Sequence, residues 1–390
     1  MKTLVVGFPY VRERYFATFR DPSIRDDVLF LLPQRWTAKN GRVVFAPPED
    51  ERVMKTIAYF HDSHTPIVGG LLKGWMPLFP LYLWRLRHTV SLVYSCSEPT
   101  LLTTLYQVAW SRIFGKKHVC FTWENIHYTE KLSPLSRGVH VWILKLVLKL
   151  SDGLICGNAA GRVIHYSYAS IPMEIIPMNG VDVQFFSRPS SGSRVFQGRD
   201  FSNNRIITFI GAMGKRKGLD VLLEAFSELV KQSPDVRLIL AGSGEYEQEI
   251  ARRIKLLGIE DSVIRYAWLD DAGVRDLLTL SDVFAYPSIQ YGGWTEQFGY
   301  SMAEAMSMEV PVISTRTGSI PDVVTHTVTG LLVTPNSVEE LLEALTTLVN
   351  DNELRRRLGR QARVDVERRF SHAVIARRFV QFFTRIYNSA

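Results

Sequence analysis

Residues 285–315, AYPSIQYGGWTEQFGYSMAEAMSMEVPVIST, decide how the rest of the chain is read. A buried strand runs into Pro287-Ser288, and a loop carrying Gly292 and Gly293 follows. Glu296 stands just ahead of a helix that begins near Phe298-Gly299, and Glu304 comes eight residues later, in its second turn. The small and apolar neighbours in SMAEAM predict that Glu304 is buried, and a buried glutamate is uncommon unless paired. Two carboxylates at different depths of one strand–loop–helix unit suit the hydroxyls of a sugar or ribose, because a carboxylate accepts such hydrogen bonds in pairs. The first amides of the helix, at Phe298, Gly299 and Tyr300, suit an anion. The plain alternative has Glu296 resting on its own helix dipole and Glu304 solvated; the small residues around Glu304 argue against it.

Outward from this stretch, strand and helix patterns alternate, which predicts parallel α/β domains. One series begins at Arg205: strand IITFIGA, helix GLDVLLEAFSELVKQ, strand VRLILAGSG, helix EYEQEIARRIKLLG, strand VIRYAW, helix DAGVRDLLTLS, strand VFAYPS. Beyond the quoted stretch come VPVIST and the helix SVEELLEALTTLVN. An earlier series contains TLVVGF, VSLVYS, HVCFTW, GLICGN and MEIIPM, with a helix over 139–150. The expected division is a first Rossmann-like domain over 1–187 and a Ser-, Gly- and Asn-rich linker over 188–204. A second domain spans 205–370, and a helix over 371–390 packs back on the first. Ligands of such sheets sit at the carboxyl ends of the strands.

Two glycine-bearing turns lie at such ends. IGAMGKRKGLD sets Gly211, Gly214 and Gly218 around Lys215, Arg216 and Lys217 at a helix start, a cradle for a diphosphate. LILAGSGEYE brings Gly242-Ser243-Gly244 before a helix, without the third glycine of a dinucleotide fingerprint. Singly, each also reads as an ordinary tight turn. In the first half, Cys120-Phe121-Thr122-Trp123-Glu124-Asn125-Ile126-His127 leaves a strand, and Glu124 and His127 are candidate catalytic residues. The alternative is a structural loop histidine and an exposed glutamate.

The 390 residues are 46% hydrophobic and 22% charged, a globular composition, with a formal net charge of +7. A basic first half and a basic tail bracket an acidic middle, which points to an anionic partner. A nucleic acid is disfavoured, because no RNA-binding or helix-turn-helix signature is present. An anionic membrane surface fits better: LLKGWMPLFPLYLWRLRH, over 71–88, mixes Trp75, Phe79, Tyr82 and Trp84 with Lys73, Arg85 and Arg87. The same composition also serves a loop and helix packed in the first domain. MKTLVVGFPY reads as a first strand rather than a leader. No run of about 20 uncharged apolar residues occurs. A cytoplasmic chain, peripheral on the inner face of a membrane, is therefore expected. Cys96, Cys120 and Cys156 lack metal-ligand spacing and read as buried thiols.

Glu296-x-Phe298-Gly299-x4-Glu304-Ala305 followed by Pro311-Val312-Ile313 resembles the E-x7-E signature of the family-4 retaining glycosyltransferases. SDGLICGNAAGRVI, IIPMNGVDVQFF, IGAMGKRKGLDVLLEAF, LILAGSGEY, SDVFAYPS, GSIPDVV and TGLLVTPNSVEELLEAL follow in family order, covering about 150–370. The resemblance implies a GT-B fold, two Rossmann-like domains facing a central cleft. It implies transfer from a nucleotide sugar to a hydroxyl with retention, without bound metal or further cofactor. It places Glu296 on the donor sugar and Glu304 on the ribose. Gln297, Phe298, Gly299 and Tyr300 fall by sugar and phosphate, as do Gly211, Lys215 and Arg216, with Lys217 on the diphosphate. Trp268, Leu269 and Gly242 lie near the base, which is left open among UDP-, GDP- and ADP-sugars. The acceptor is a glycan or lipid-linked intermediate. An epimerase or hydrolase of the same fold, or a silent nucleotide-sugar-binding scaffold, remains the alternative. The sequence departs from the family pattern at Ala212, where Arg is frequent, and at Glu309, where Gly is usual. The glycine pair often found in the first acceptor-side loop is missing from GFPYVRERYF.

Overall fold

Apolar residues predominate in the strands, as in sheets covered on both faces. The first sheet contains β1 (Lys2–Val6), β2 (Val28–Pro33), β3 (Val53–Thr56), β4 (Val90–Ser95), β5 (Lys117–Thr122), β6 (Gly153–Cys156) and β7 (Met173–Ile175). All pairings are parallel, in the order β3-β2-β1-β4-β5-β6-β7. The second contains β8 (Arg205–Ile210), β9 (Val236–Ala241), β10 (Val263–Tyr266), β11 (Val283–Tyr286), β12 (Val312–Thr315) and β13 (Gly330–Val333). Its order, β10-β9-β8-β11-β12-β13, is again wholly parallel. In both sheets the order reverses beside the first strand, the arrangement of a Rossmann-like unit with its switch point there.

These are the features of a computed structural model describing residues 2–38, 43–61, 68–189 and 193–389. The chain divides into two units, Met1–Gly180 with His372–Ala390, and Val181–Ser371.

In the first unit, the two-residue side-chain period of β1 serves two cores. Val5 joins Phe30, Leu92, Phe121 and Ile155 under the C-terminal helix, which supplies Phe379, Phe382 and Ile386. Leu4 and Val6 face the opposite way, onto Met76, Phe79 and Leu83. Gly153 accommodates the C-terminal helix: a Cβ there would stand 2.8 Å from the Ile386 Cδ1. The Thr18 hydroxyl ties both ends of the unit, accepting the Gly180 N–H at 2.8 Å and meeting His372 Nδ1 at 2.8 Å. All three cysteines are free and buried.

The crossings between units fall at Gly180–Val181 and Ser371–His372 rather than across 188–204. Within that segment Val195–Phe196 pairs antiparallel with Arg199–Asp200. Gln197 and Gly198, both at positive φ, form the two-residue turn that a twisted hairpin prefers. Phe196 and Phe201 are buried, so polar composition concealed a packed hairpin. Residues 190–192 of the expected linker lie outside the described residues.

Candidate functional site

The switch point of the second sheet lies between β8 and β11, and the loops following both strands carry the candidate residues. After β8 the chain passes Gly211 and Gly214, makes a single turn over Lys215–Lys217, and enters the helix Leu219–Gln232. Gly218 takes the left-handed conformation, φ +65°, and a Cβ there would meet the Pro287 carbonyl oxygen at 2.0 Å. Arg216 O accepts the Ile289 N–H at 2.8 Å. The two loops are thereby held backbone to backbone.

That contact sets Lys217 opposite Glu296. Both side chains are buried, 4% and 10% exposed, and the Lys217 ammonium bonds both Glu296 Oε2 and the Tyr286 hydroxyl. Tyr286 donates to Glu296 Oε2 at 3.0 Å, and Arg216 Nη1 approaches the same oxygen at 3.4 Å. Burial works to raise the Glu296 carboxyl, but the charges of Lys217 and Arg216 outweigh it and hold it below its usual value. Burial pulls the Lys217 ammonium below its ordinary range, against the attraction of Glu296. Glu296 is thus an ionised carboxylate with one oxygen committed to cations.

Lys215, Arg216, Glu296 and Gln297 line a cavity of about 510 Å³, together with Glu245, Thr295 and the exposed rings of Tyr291 and Trp294. Lys215 lies over the Tyr291 ring at 5.0 Å. The helix Tyr300–Ser307 follows, with Gly299 as its cap at φ +80°. Phe298 is buried against Phe370 and Tyr300. Glu304 is 3% exposed among Met302, Ala303, Ala305 and Met306, and Tyr300 is partly buried at the helix start.

Gly242, Trp268, Leu269 and Glu304 do not line this cavity. The space that Gly242 leaves is filled by the chain: its Cβ would lie 1.9 Å from the Gly211 carbonyl oxygen. Gly244 stands likewise against the Met213 carbonyl. These glycines let the loops after β8 and β9 touch, a use that a spacing pattern does not reveal. Trp268 is 61% exposed in the loop beyond β10, with Leu269 half-buried beside it. Asp270 caps the next helix through the Gly273 N–H at 2.8 Å.

Sequence reasoning missed Tyr286, and also Ser288, whose hydroxyl lies 3.5 Å from Glu296 Oε2. Tyr286 ends β11, and position at a carboxyl terminus beside the switch point was the available signal. Glu309 adopts φ +57°, which accounts for glycine being usual there.

In the first unit, Glu124 follows β5 and pairs with Lys131 at 3.0 Å. His127 caps the short helix Tyr128–Lys131, accepting the Thr129 N–H at 3.3 Å. Glu98, not anticipated, follows the neighbouring β4 and accepts from the Thr122 hydroxyl at 2.6 Å and the Trp123 N–H at 2.8 Å. Burial, then the Glu124 charge, pushes its carboxyl up to about 7. The folded state therefore keeps a proton that the unfolded chain releases near 4.5, and stability falls as pH rises from there to about 7. Glu98→Gln mimics the protonated form. Urea titrations across this window should show the variant gaining about 1–3 kcal/mol on the wild type toward neutral pH. Parallel curves would refute the assignment.

Among the described residues no three His, Cys, Asp or Glu side chains gather as a metal site, and no helix is long and apolar enough to cross a membrane.

Residues 194–365 match the family model described as glycosyl transferases group 1. The chain is 30% identical over 205 residues to a GDP-mannose-dependent monoacylated alpha-(1-6)-phosphatidylinositol monomannoside mannosyltransferase of Corynebacterium glutamicum, covering 51% of this chain and 53% of that one. It is 31% identical over 219 residues to a D-inositol 3-phosphate glycosyltransferase of Segniliparus rotundus, covering 54% and 47%. The chain spans about half the length of the curated relatives it matches. Anabaena Alr3699/HepE, solved with UDP, superposes with a TM-score of 0.76 at 20% identity, over 99% of this chain and 100% of that one. Sucrose-phosphate synthase from Thermosynechococcus elongatus gives 0.75 at 17% identity over the full length of both. The fold is GT-B. Over residues 194–365, somewhat less than half of its length, the chain is similar to the glycosyl transferases group 1 family.

Proposed function

We propose that the protein transfers a sugar, with retention of anomeric configuration, from a nucleotide sugar to a hydroxyl acceptor. The observation that carries this reading is the buried Glu296 carboxylate, held by Lys217 and Tyr286 at the switch point and bordering a cavity lined by Lys215 and Arg216. One Glu296 oxygen is held by cations, which fixes the carboxylate beside the cavity where it meets donor-sugar hydroxyls. Arg216 and Lys215 neutralise the departing diphosphate, with Gly211 giving its oxygens room and Lys217 adding positive potential from below. Gln297 and the Phe298–Tyr300 turn border sugar and phosphate. Glu304 receives the ribose hydroxyls, and Trp268 and Leu269 border the base, with Gly242 holding its loop against the Gly211 carbonyl. In this reading the chain's own cations do what a metal does elsewhere.

The acceptor in this proposal is a glycan or lipid-linked intermediate, met by the first unit with Glu124 and His127 on the acceptor side. Phe79 and Leu83 of the helix Phe79–Arg85 belong to the core, whereas Leu78, Leu81 and Trp84 are exposed beside Arg85 and Arg87. Such a face suits an anionic membrane surface. The phosphatidylinositol-based substrate in the name of the Corynebacterium relative supports the same choice.

Thermal shift with UDP-, GDP- and ADP-sugars tests the donor half. A donor at a hundredfold its Kd should stabilise the folded protein by about 2.7 kcal/mol, and Arg216→Ala should weaken that response. No shift with any donor, or product formed from donor alone, would reject transfer to an acceptor.

A further inference from the structure

A second cavity in the same unit, of about 430 Å³, shares no residue with the one beside Glu296. Asp282 and Pro311 border it, one residue ahead of β11 and β12, so it lies at the amino ends of these strands. Glu296 follows the opposite, carboxyl end of β11. Five arginines line it: Arg188 and Arg194 from the segment before β8, and Arg355, Arg356 and Arg360 from the helix Asn352–Arg369. Asn352, the first residue of that helix, borders the cavity, and the helix start is capped by Asp351, which accepts the Leu354 N–H at 2.8 Å.

The negative charge present does not balance this set. Asp282 is engaged, accepting the Ile206 N–H at 2.8 Å and Arg194 at 3.1 Å. Arg355 spends Nη1 on the carbonyls of Leu348 and Val349. Arg188, Arg356 and Arg360 are exposed and make no ion pair among the described residues. Glu309 is the other lining acid. Burial, and beyond it the charges of Arg205 and Arg356, lowers the Arg355 guanidinium below its usual value although Asp282 opposes them. Like charges are being held together in a concavity large enough for a small molecule.

We propose that this cavity is a binding site for a phosphate-bearing anion, separate from the donor site. A monocarboxylate would leave most of the charge unanswered, whereas a phosphate ester or pyrophosphate offers several charges and oxygens spaced for guanidinium forks. A soluble phosphate ester and a phospholipid headgroup share this chemistry.

Calorimetric titration with inorganic pyrophosphate separates the two cavities. Arg216→Ala, which alters the donor-side cavity, should leave binding at the arginine cavity intact. Arg356→Gln with Arg360→Gln should weaken that binding by about tenfold or more. Arg357→Gln, exposed on the same helix but outside the cavity, should leave it unchanged. Sedimentation with phosphatidic acid vesicles against phosphatidylcholine vesicles identifies the source. Dependence on Arg356 and Arg360 assigns a headgroup, and pyrophosphate binding without vesicle dependence assigns a soluble ester. Loss of equal size in Arg357→Gln would reduce the effect to diffuse surface charge and overturn the proposal. So would pyrophosphate and vesicle binding that are both indifferent to Arg356 and Arg360.

Discussion

Glu296→Gln is expected to abolish transfer and also to destabilise the second unit. The substitution keeps the shape of the side chain but removes the charge that Lys217 faces in a buried position. Stripping one partner from a buried ion pair leaves the other desolvated without compensation, a loss of about 3–5 kcal/mol. Lys217 then sheds its proton or draws in water, and either response alters the floor of the cavity. Lys217→Met combined with Glu296→Gln should recover most of the stability, because an apolar stem replaces the orphaned ammonium. It should recover none of the transfer if Glu296 holds the donor sugar. Denaturant titration and a transfer assay on the single and the double variant decide the matter. A single variant with near wild-type turnover would refute the donor-site role. Stability that the double variant fails to restore would refute the ion-pair account. The pH response follows from the same geometry. The Glu296 carboxyl lies below its ordinary value of 4.5 in the fold, so its contribution is complete above that pH and is lost on acidification through the folded value. The Gln variant should lack that acid-sensitive component.

Gly218→Ala is expected to damage the second unit severely. Its φ of +65° already disfavours a side chain, and the added Cβ would lie 2.0 Å from the Pro287 carbonyl oxygen. Neither partner yields cheaply, since both are backbone at the junction of the β8 and β11 loops. Strain and displacement together should cost about 3 kcal/mol or more. Donor-induced stabilisation should fall with it, because Lys217 and Arg216 ride on that turn. Gly258→Ala provides the comparison: φ is +64°, but no atom lies within 4 Å of the added Cβ. Only the conformational cost of about 1 kcal/mol is expected there. Equal losses in the two variants would mean that the left-handed backbone, not the packing of the loops, makes Gly218 necessary.

Much of the layout around Glu296 is local enough to be legible in order along the chain. A strand, a glycine turn and a helix occupy consecutive residues, so periodicity and turn chemistry locate Lys215–Lys217 and Glu296 at loop positions before any coordinates exist. The hairpin at 195–200 was legible in principle, from Gln197-Gly198 between Val195–Phe196 and Arg199–Asp200, but polar surroundings hid it. The use of Gly242 was not legible. A glycine before a helix looks the same whether a ligand or the Gly211 carbonyl fills the space.

The sequence by itself determined the Rossmann-like character of each unit, the places of the loops and the resemblance carried by Glu296 and Glu304. These depend on residues near one another in the chain. Only the tertiary structure decided that Lys217 is paired with Glu296 rather than open to solvent, that Tyr286 joins them, and that Glu98 lies beside Glu124. It alone gathered arginines from 188–194 and 355–360 around one cavity. Each of these depends on which strand neighbours which, and in a parallel sheet with crossovers that order brings together residues tens of positions apart.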